Sequence, residues 1–473
     1  MKIMLLFPKW THGYGLATYF AKRISVHPPL NLALLAAIAE REGHEVRIID
    51  GQAENMPLAR LIEQTVAFGP DIVGITGTSP FYHLAIELAR GLKRVNRKIP
   101  IAIGGHHISL LKEEAFIPCF DYAFIGEADN SWPMFLERYG GDISSIKGIL
   151  FRDNGEAKFT GFPERVDLDS VPFPARHLLK MKKYRLGTMQ GRKNFSTIMF
   201  SRGCPFNCIF CSTAEVFGKK VRKRSVRLVV DEIISAFVNF NVSHFYFCDD
   251  NVTIDRNYML EMCELIIKKK LNATFEGSTR ADLVDEELIS AMARAGWIRM
   301  SFGLESVDPE MRKIMKKEVP LESYARACRL TNKYGMETLL SVMLGLPGET
   351  PETAKQTLSY LRHARDVHEV QYSIATPYPG TELYEMAKRG DHGVKLVTKN
   401  FLKFRRYGAG VMSVGELMPQ DLIRLQNDAF LSIYMAPWRI RPMLKRMGII
   451  GVLLTYFRVI ISLWNKVKGK LEK

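Results

Sequence analysis

Two long stretches of this chain alternate short apolar runs with segments of helical pattern, and this alternation strongly limits the possible folds. In residues 1–140 the apolar runs are continuous, as expected for strands buried on both faces of a parallel sheet. They read KIMLLF, EVRIID, DIVGIT, IPIAIGG and YAFIG. The sequence therefore predicts an α/β domain with a doubly wound, Rossmann-like sheet.

A second series of strands begins at about residue 195. Its apolar runs are FSTIMF, HFYFCD, ATFEGS, IRMSFG, TLLSVMLG and VQYSIA, each separated from the next by a helix-length segment. Six such strand–helix units favour a partial (β/α)6, TIM-like barrel over a second small open sheet. In both kinds of fold, ligands bind at the carboxyl ends of the strands.

The chain of 473 residues is long enough for two to four domains. The expected division is a first domain over residues 1–140, a linker with a hairpin at Asn154-Gly155 over 141–194, a barrel over 195–400 and a helical region over 401–473. The start, MKIMLLFPKW, is typical of a first strand rather than of a signal peptide. The seven cysteines do not resemble a disulfide framework, so we expect a cytoplasmic protein.

Much of the net charge of +16 lies at the carboxyl-terminal end. Residues 437–473 carry 9 Lys or Arg and 1 acidic residue, a balance of +8. We therefore expect no nucleic-acid partner. The apolar run there is interrupted by Arg458 and falls short of the roughly 20 residues of a membrane span. Two interpretations stay open: an amphipathic helix lying on the inner face of a membrane, or a helix packed on the barrel with a solvated basic end.

Three cysteines follow the first strand of the predicted barrel. Cys204, Cys208 and Cys211 have the spacing C-x3-C-x2-C. A structural zinc ion takes four ligands, and a [4Fe–4S] cluster is usually held by four thiolates. Three thiolates would leave one iron open to a substrate. The alternatives are a zinc ion or an electron-transfer cluster with a fourth ligand from elsewhere in the chain, or unligated thiols.

The loop SRGCPFNCIFC, with the aromatic Phe210 before its last cysteine, resembles the motif of the radical S-adenosylmethionine (SAM) superfamily. CSTAEVFGKKVRKRS, FCDDN, STRAD, SFGLES, MLGLPGET and TPYPGTELY resemble the subgroup with an amino-terminal cobalamin-binding domain. This resemblance implies a [4Fe–4S] cluster on the three cysteines, with SAM bound at the open iron and cleaved to a 5′-deoxyadenosyl radical. It also implies an external electron donor of the flavodoxin or ferredoxin type.

The resemblance also implies where SAM lies, at the ends of successive strands. An arginine there can pair with the methionine carboxylate through two hydrogen bonds, and a glutamate can bind the ribose or the amino group. The implied SAM contacts are Phe210, Asp249, Asp250, Ser278, Arg280, Glu305, Gly345 and Gly348. Each polar residue among them could instead cap a strand end or form a surface ion pair.

The first domain resembles the cobalamin-binding domain of the same subgroup. The implied cobalamin contacts are Thr76, Gly77, Ser79, Gly104, Gly105, His106, Gly126 and Glu127. The D-x-H-x-x-G motif, whose histidine ligates cobalt, is replaced by FPKWTHGYG. A domain that keeps the fold without the cofactor is therefore the alternative.

These features favour a cobalamin-dependent radical SAM methyltransferase. Its substrate would be an unactivated carbon of a lipid, an isoprenoid or hopanoid, or a tetrapyrrole-like molecule. A second hypothesis keeps the radical but replaces methyl transfer by oxidative cyclisation or rearrangement. A third is a metal-stabilised protein that binds RNA or a membrane. The sequence indicates no catalytic acid or base.

Overall fold

The computed structural model describes residues 1–10, 25–186 and 194–434, together with 436, 438, 439, 444, 448, 449 and 453. Both predicted α/β units are present in these residues. Most of the predicted basic tail helix lies outside the described residues.

The first sheet has seven strands in the described part of the chain, in the order β2-β1-β3-β4-β5-β6-β7. Its strands are β1 Lys2–Phe7, β2 Glu45–Asp50, β3 Ile72–Thr76, β4 Ile101–Gly104, β5 Tyr122–Phe124, β6 Ile149–Asp153 and β7 Glu156–Phe159. Its helices are α1 Leu30–Arg41, α2 Leu58–Phe68, α3 Tyr82–Val95, α4 His106–Leu111 and α5 Ser131–Glu137. β1 to β5 run parallel, and β6 and β7 form the predicted hairpin. This hairpin pairs with β5 and so extends the first sheet.

Successive residues of β1 pack on opposite faces of this sheet. Ile3 and Leu5 belong to a core shared with α1, whereas Met4 and Leu6 belong to a core shared with α3. Side chains alternate between the faces of a strand, so a continuous apolar run is what a strand covered on both sides requires. The doubly wound domain predicted from these runs is confirmed.

The second sheet is entirely parallel, in the order β15-β14-β13-β12-β11-β8. Its strands are β8 Phe195–Ile198, β11 His244–Phe247, β12 Thr274–Thr279, β13 Trp297–Glu305, β14 Glu337–Leu344 and β15 Glu369–Ile374. The helices between them are α7 Val226–Phe240, α8 Arg256–Lys268, α9 Glu286–Arg294, α11 Leu321–Lys333 and α12 Pro351–His363. Phe245, Phe247 and Phe275 pack against these helices, so the alternate residues face the inside of the partial barrel.

Smaller elements surround the barrel. They are β9 Ser201–Arg202, β10 Arg222–Lys223, α6 Thr213–Phe217, α10 Pro309–Ile314, α13 Glu382–Arg389, β16 Val394–Leu396, β17 Met412–Val414 and α14 Pro419–Tyr434. β9 pairs with β10, and β16 pairs with β17 across the boundary expected at residue 400.

Among the residues described beyond α14, Arg439 is buried against the barrel. The Arg439 guanidinium donates hydrogen bonds to the carbonyl oxygens of Leu361, Ala364 and Val367, at 3.0, 3.1 and 2.6 Å. The bonds to Leu361 and Ala364 satisfy carbonyl groups that the end of α12 leaves without helical partners. No helix in the described ranges is long and apolar enough to cross a membrane.

Candidate functional site

The three-cysteine loop lies between β9 and α6, and its path is fixed by backbone contacts. Gly203 has a φ of +98°, and a Cβ at this position would lie 2.4 Å from the Lys220 carbonyl oxygen. The N–H of Cys204 donates to the carbonyl oxygen of Gly218 at 3.2 Å. The N–H of Cys211 donates to the carbonyl oxygen of Cys208 at 3.0 Å. The glycine of SRGC is therefore required for this turn.

The thiols differ in exposure: Cys204 is buried, Cys208 is half-buried and Cys211 is exposed. Burial raises the pKa of the Cys204 thiol to about 11 and also raises that of Cys208. Among the described residues, no three His, Cys, Asp or Glu side chains come together as ligands of one metal ion. In a [4Fe–4S] cluster each thiolate binds a different iron, so three thiols on one loop suit a cluster that keeps one iron without a protein ligand.

The end of β11, in FCDDN, packs against the cysteine loop. The Asn251 side-chain amide lies 3.6 Å from the Cys204 sulfur, and the Thr213 hydroxyl donates to Asp250 at 2.9 Å. The Asp249 carboxylate instead accepts from the N–H and the hydroxyl of Ser201, both at 2.6 Å. Burial raises the pKa of Asp249 to about 7. Its side chain thus holds β9 in place.

Arg280, at the end of β12, reaches the same loop. Its guanidinium lies 3.8 Å from the centre of the Phe206 ring and makes two hydrogen bonds to Asp282, at 3.0 and 2.8 Å. A SAM carboxylate would therefore share this guanidinium with Asp282. Ser278 lies on the same strand. On the neighbouring strand β11, burial raises the pKa of Tyr246 to about 12.

Glu305 ends β13 with a φ of +64°. Its Oε1 lies 2.9 Å from the Lys317 ammonium, whereas its buried Oε2 has no partner among the residues that the structure describes. Lys317 also lies 5.9 Å from the centre of the Phe210 ring in the cysteine loop. A buried carboxylate oxygen without a donor is costly, so this oxygen suits the ribose or amino group of SAM.

Lys317 was not predicted from the sequence. The glycine at position 303, in SFGLES, is a sequence feature that is explained by the contact between Lys317 and Glu305. A Cβ on Gly303 would lie 2.5 Å from both Glu305 Oε1 and Lys317 Nζ. The glycine therefore leaves room for the ion pair.

The expected adenine contacts lie in the turn after β14. Gly345 and Gly348 have φ values of +88° and +83°. A Cβ on Gly345 would lie 2.7 Å from the Leu422 side chain of α14. Gly345 is thus also needed for the packing of α14 against this turn. Burial raises the pKa of Glu349, which accepts a hydrogen bond from the Gly345 N–H, to about 7.

Most of the expected cobalamin contacts lie together at the carboxyl edge of the first sheet. Gly105 has a φ of +105°, and a Cβ there would lie 2.6 Å from the Gly77 carbonyl oxygen. Thr76 accepts a hydrogen bond from the Asn31 amide at 3.0 Å. The Ser79 hydroxyl lies 3.0 Å from His107 Nδ1. The N–H of Gly126 donates to the Ser109 hydroxyl at 2.9 Å. Gly104 ends β4.

His106 and Glu127 connect this edge to the barrel. The His106 ring centre lies 5.9 Å from that of Phe217 in α6, directly after the cysteine loop. Among the described residues, the Glu127 carboxylate pairs with Arg165, Arg202 and Arg222. The edge expected to hold cobalamin therefore touches the loop expected to hold the cluster.

Comparisons with known proteins identify the two α/β units. Residues 198–361 match the model of the radical SAM superfamily, and residues 17–135 match that of the B12 binding domain. An uncharacterized methyltransferase of Pyrococcus horikoshii is 30% identical over 446 residues, covering 92% of this chain and 93% of its own length.

A cytidylyl-2-hydroxyethylphosphonate methyltransferase of Streptomyces wedmorensis is 28% identical over 447 residues, covering 81% of this chain and 80% of its own. Among solved structures, the radical SAM methyltransferase TsrM of Kitasatospora setae, with cobalamin and a [4Fe–4S] cluster bound, is similar with a TM-score of 0.69 at 18% identity. The match covers 90% of this chain and 84% of TsrM.

Proposed function

Because this chain belongs to the radical SAM superfamily and carries a B12-binding domain, we propose that it transfers a methyl group to an unactivated carbon of a small-molecule substrate. The family and the enzyme class predicted from the sequence are confirmed. The cofactors of this family are a [4Fe–4S] cluster, SAM and cobalamin. When bound, they supply a 5′-deoxyadenosyl radical and a transferable methyl group.

One observation carries the proposal: the two expected cofactor sites adjoin each other. His106, at the edge of the first sheet, lies beside Phe217, and Glu127 pairs with Arg202 of the SRGC segment. A methyl donor held by the first domain would thus lie near a radical formed in the barrel. Proximity of this kind is what transfer between two bound groups requires.

Within the barrel, the chain's own residues have separate roles in the proposal. Cys204, Cys208 and Cys211 would hold a [4Fe–4S] cluster through three of its irons, which leaves one iron open for SAM. Glu305 accepts a hydrogen bond from SAM through Oε2, since Oε1 is paired with Lys317.

The inward face of the barrel indicates the substrate class. Its accessible side chains include the polar Tyr246, Cys248, Ser278, Ser301, Ser341 and Gln371 and the apolar Leu339 and Met343. Hydroxyl, thiol and amide groups bind polar groups of a ligand, and the two apolar side chains would contact its hydrocarbon part. Of the classes expected from the sequence, a tetrapyrrole-like molecule with carboxylate groups suits this lining better than a hydrocarbon such as a hopanoid.

The test is anaerobic reconstitution with iron, sulfide and hydroxocobalamin, followed by a low-potential reductant, a tetrapyrrole carrying carboxylate groups and SAM labelled in its methyl group. We expect 5′-deoxyadenosine, and label in a tetrapyrrole product. Cys208→Ala should abolish 5′-deoxyadenosine formation, whereas Cys119→Ala, which removes another half-buried thiol in the first domain, should retain it. Label found only outside the product would favour cyclisation or rearrangement, and a zinc-loaded protein without SAM cleavage would contradict both enzymatic hypotheses.

A further inference from the structure

A buried group of charged residues joins the first domain to the cysteine loop. The Arg202 guanidinium donates two hydrogen bonds to Asp129, at 2.7 and 2.9 Å, and one to Glu127 at 2.8 Å. We infer that the pair Arg202–Asp129 is a positioning device, which sets the cobalamin edge of the first domain against the cluster loop. This inference rests on the proposed function.

The position of the pair in the chain supports this role. Arg202 is the second residue before Cys204, in β9, and its antiparallel partner Arg222 in β10 also pairs with Glu127. Glu127 follows β5, at the edge of the first sheet where cobalamin is expected. The pair therefore connects the edge expected to hold cobalamin to the short strand that precedes the cysteine loop.

A third arginine connects the other end of the loop to the same carboxylate. Arg165, which follows the hairpin β6–β7, donates at 2.8 Å both to Glu127 and to the carbonyl oxygen of Val216 in α6. Cys204, Cys208 and Cys211 lie between β9 and α6. Both flanks of the loop are thus attached to one segment of the first domain.

Burial makes the attachment rigid. The exposed fractions of the Arg202, Glu127 and Asp129 side chains are 6%, 2% and 6%. Buried charges that lose a partner leave an uncompensated charge in a medium of low dielectric, so alternative pairings are strongly disfavoured. The two parallel hydrogen bonds between guanidinium and carboxylate also fix the relative orientation of the two groups.

We expect loss of the Arg202–Asp129 pair to slow only a reaction step that involves both domains. SAM cleavage to 5′-deoxyadenosine needs only the barrel. Methylation of cobalamin needs both domains: cob(I)alamin supplies the electron pair of the new Co–C bond, and the C–S electron pair stays on sulfur. S-Adenosylhomocysteine and methylcobalamin result. A misplacement of about 1 Å between reacting groups can cost roughly 100-fold in rate.

The test uses Asp129→Asn in the full-length protein, with Arg202→Lys as a second variant that keeps the charge but loses the paired hydrogen bonds. The matched control is Glu232→Gln. Glu232 is equally buried and pairs with Arg176 of the linker and with Arg224 within the barrel unit, so neither contact joins the first domain to the cysteine loop.

Hydrogen exchange is first compared in the proteins without cofactors. We expect faster exchange in residues 126–131 and 201–204 of both variants, and unchanged exchange there in the control. The reconstituted proteins are then assayed with titanium(III) citrate as reductant. Methylcobalamin formation should fall by at least about tenfold in the variants, while bound cobalamin and 5′-deoxyadenosine formation stay within about twofold of the parent.

Equal losses of both reactions, or no selective loss of methylcobalamin formation, would overturn the inference. So would unchanged exchange in the two segments. If the parent protein itself forms no methylcobalamin, the proposed function fails. In that case the exchange measurement still decides whether the pair holds the two segments together.

Discussion

At the scale of single residues, Glu305 combines three costly features. Its φ of +64° is unusual for a residue other than glycine, and such strain is of order 1–3 kcal/mol. Its carboxylate is buried, and Oε2 is without a partner in the described parts of the chain. Strain and unsatisfied polar atoms of this kind concentrate at functional sites, which favours a ligand at this position.

Lys317 should be essential for SAM binding because it neutralises Glu305. Lys317→Met leaves the buried carboxylate uncompensated. We expect the free energy of unfolding to fall by about 3–5 kcal/mol and SAM affinity to fall by at least about tenfold, as measured by urea unfolding and equilibrium dialysis.

The control is Lys316→Met. Lys316 is the adjacent residue, and its ion pair with Glu382 is exposed. An exposed pair is worth at most about 1 kcal/mol, so SAM affinity should not change. Equal effects of the two substitutions would contradict a specific role for Lys317.

His107 should make the first domain sensitive to acid. Its ring is buried between Tyr82 and Phe401, and burial lowers its pKa from 6.5 to about 4. The unfolded chain therefore binds a proton between these values that the folded chain does not. Stability should fall as the pH drops from about 6.5 to 4, by up to about 3 kcal/mol from this residue.

The measurement is the free energy of unfolding in urea at pH 7 and at pH 4.5. The loss between these pH values should be smaller in His107→Gln than in the parent. The exposed His363→Gln should behave as the parent. An identical loss in all three proteins would rule out His107 as a source of the acid sensitivity.

At the scale of elements, Arg439 divides the carboxyl-terminal region into two parts. Arg439 itself is held at the end of α12, whereas the described residues beyond it include the exposed Leu444, Ile449 and Leu453. Residues 444–473 carry 7 Lys or Arg and 1 acidic residue, a balance of +6. Each basic residue near an anionic bilayer contributes about 1 kcal/mol of attraction.

Deletion of residues 444–473 should therefore abolish binding to anionic vesicles and leave the thermal unfolding temperature unchanged. Co-sedimentation with phosphatidylglycerol vesicles measures the binding, and phosphatidylcholine vesicles are the control. Deletion from residue 437 should also lower the unfolding temperature, because it removes Arg439. Undiminished vesicle binding by the shorter chain would favour the other interpretation, a tail packed on the barrel.

At the scale of the whole molecule, the sequence was most informative where a local pattern determines the structure. Short apolar runs predict the strands, because their length and the residues that flank them distinguish a buried strand from a helix. The turn at Asn154-Gly155 is confirmed for the same reason, with φ values of +50° and +89°. The cysteine spacing likewise places three thiols in one loop.

Contacts between distant segments were not predictable in this way. Arg202 and Asp129 are 73 residues apart, and no periodicity connects an arginine of one domain with a carboxylate of another. The hairpin β6–β7 was expected in the linker because its pairing with β5 depends on the edge that the first sheet leaves open. Lys317 was missed because its partner Glu305 is brought close only by the fold.

The charged contacts around Glu127 also bear on how such enzymes can be recombined. A first domain transplanted from a relative would need carboxylates at the positions of Glu127 and Asp129 to meet Arg202 and Arg222 of the recipient barrel. A chimaera without them would bury two arginines without counter-ions. The boundary between the domains is therefore a poor place to exchange modules unless both sides of this ion-pair group are moved together.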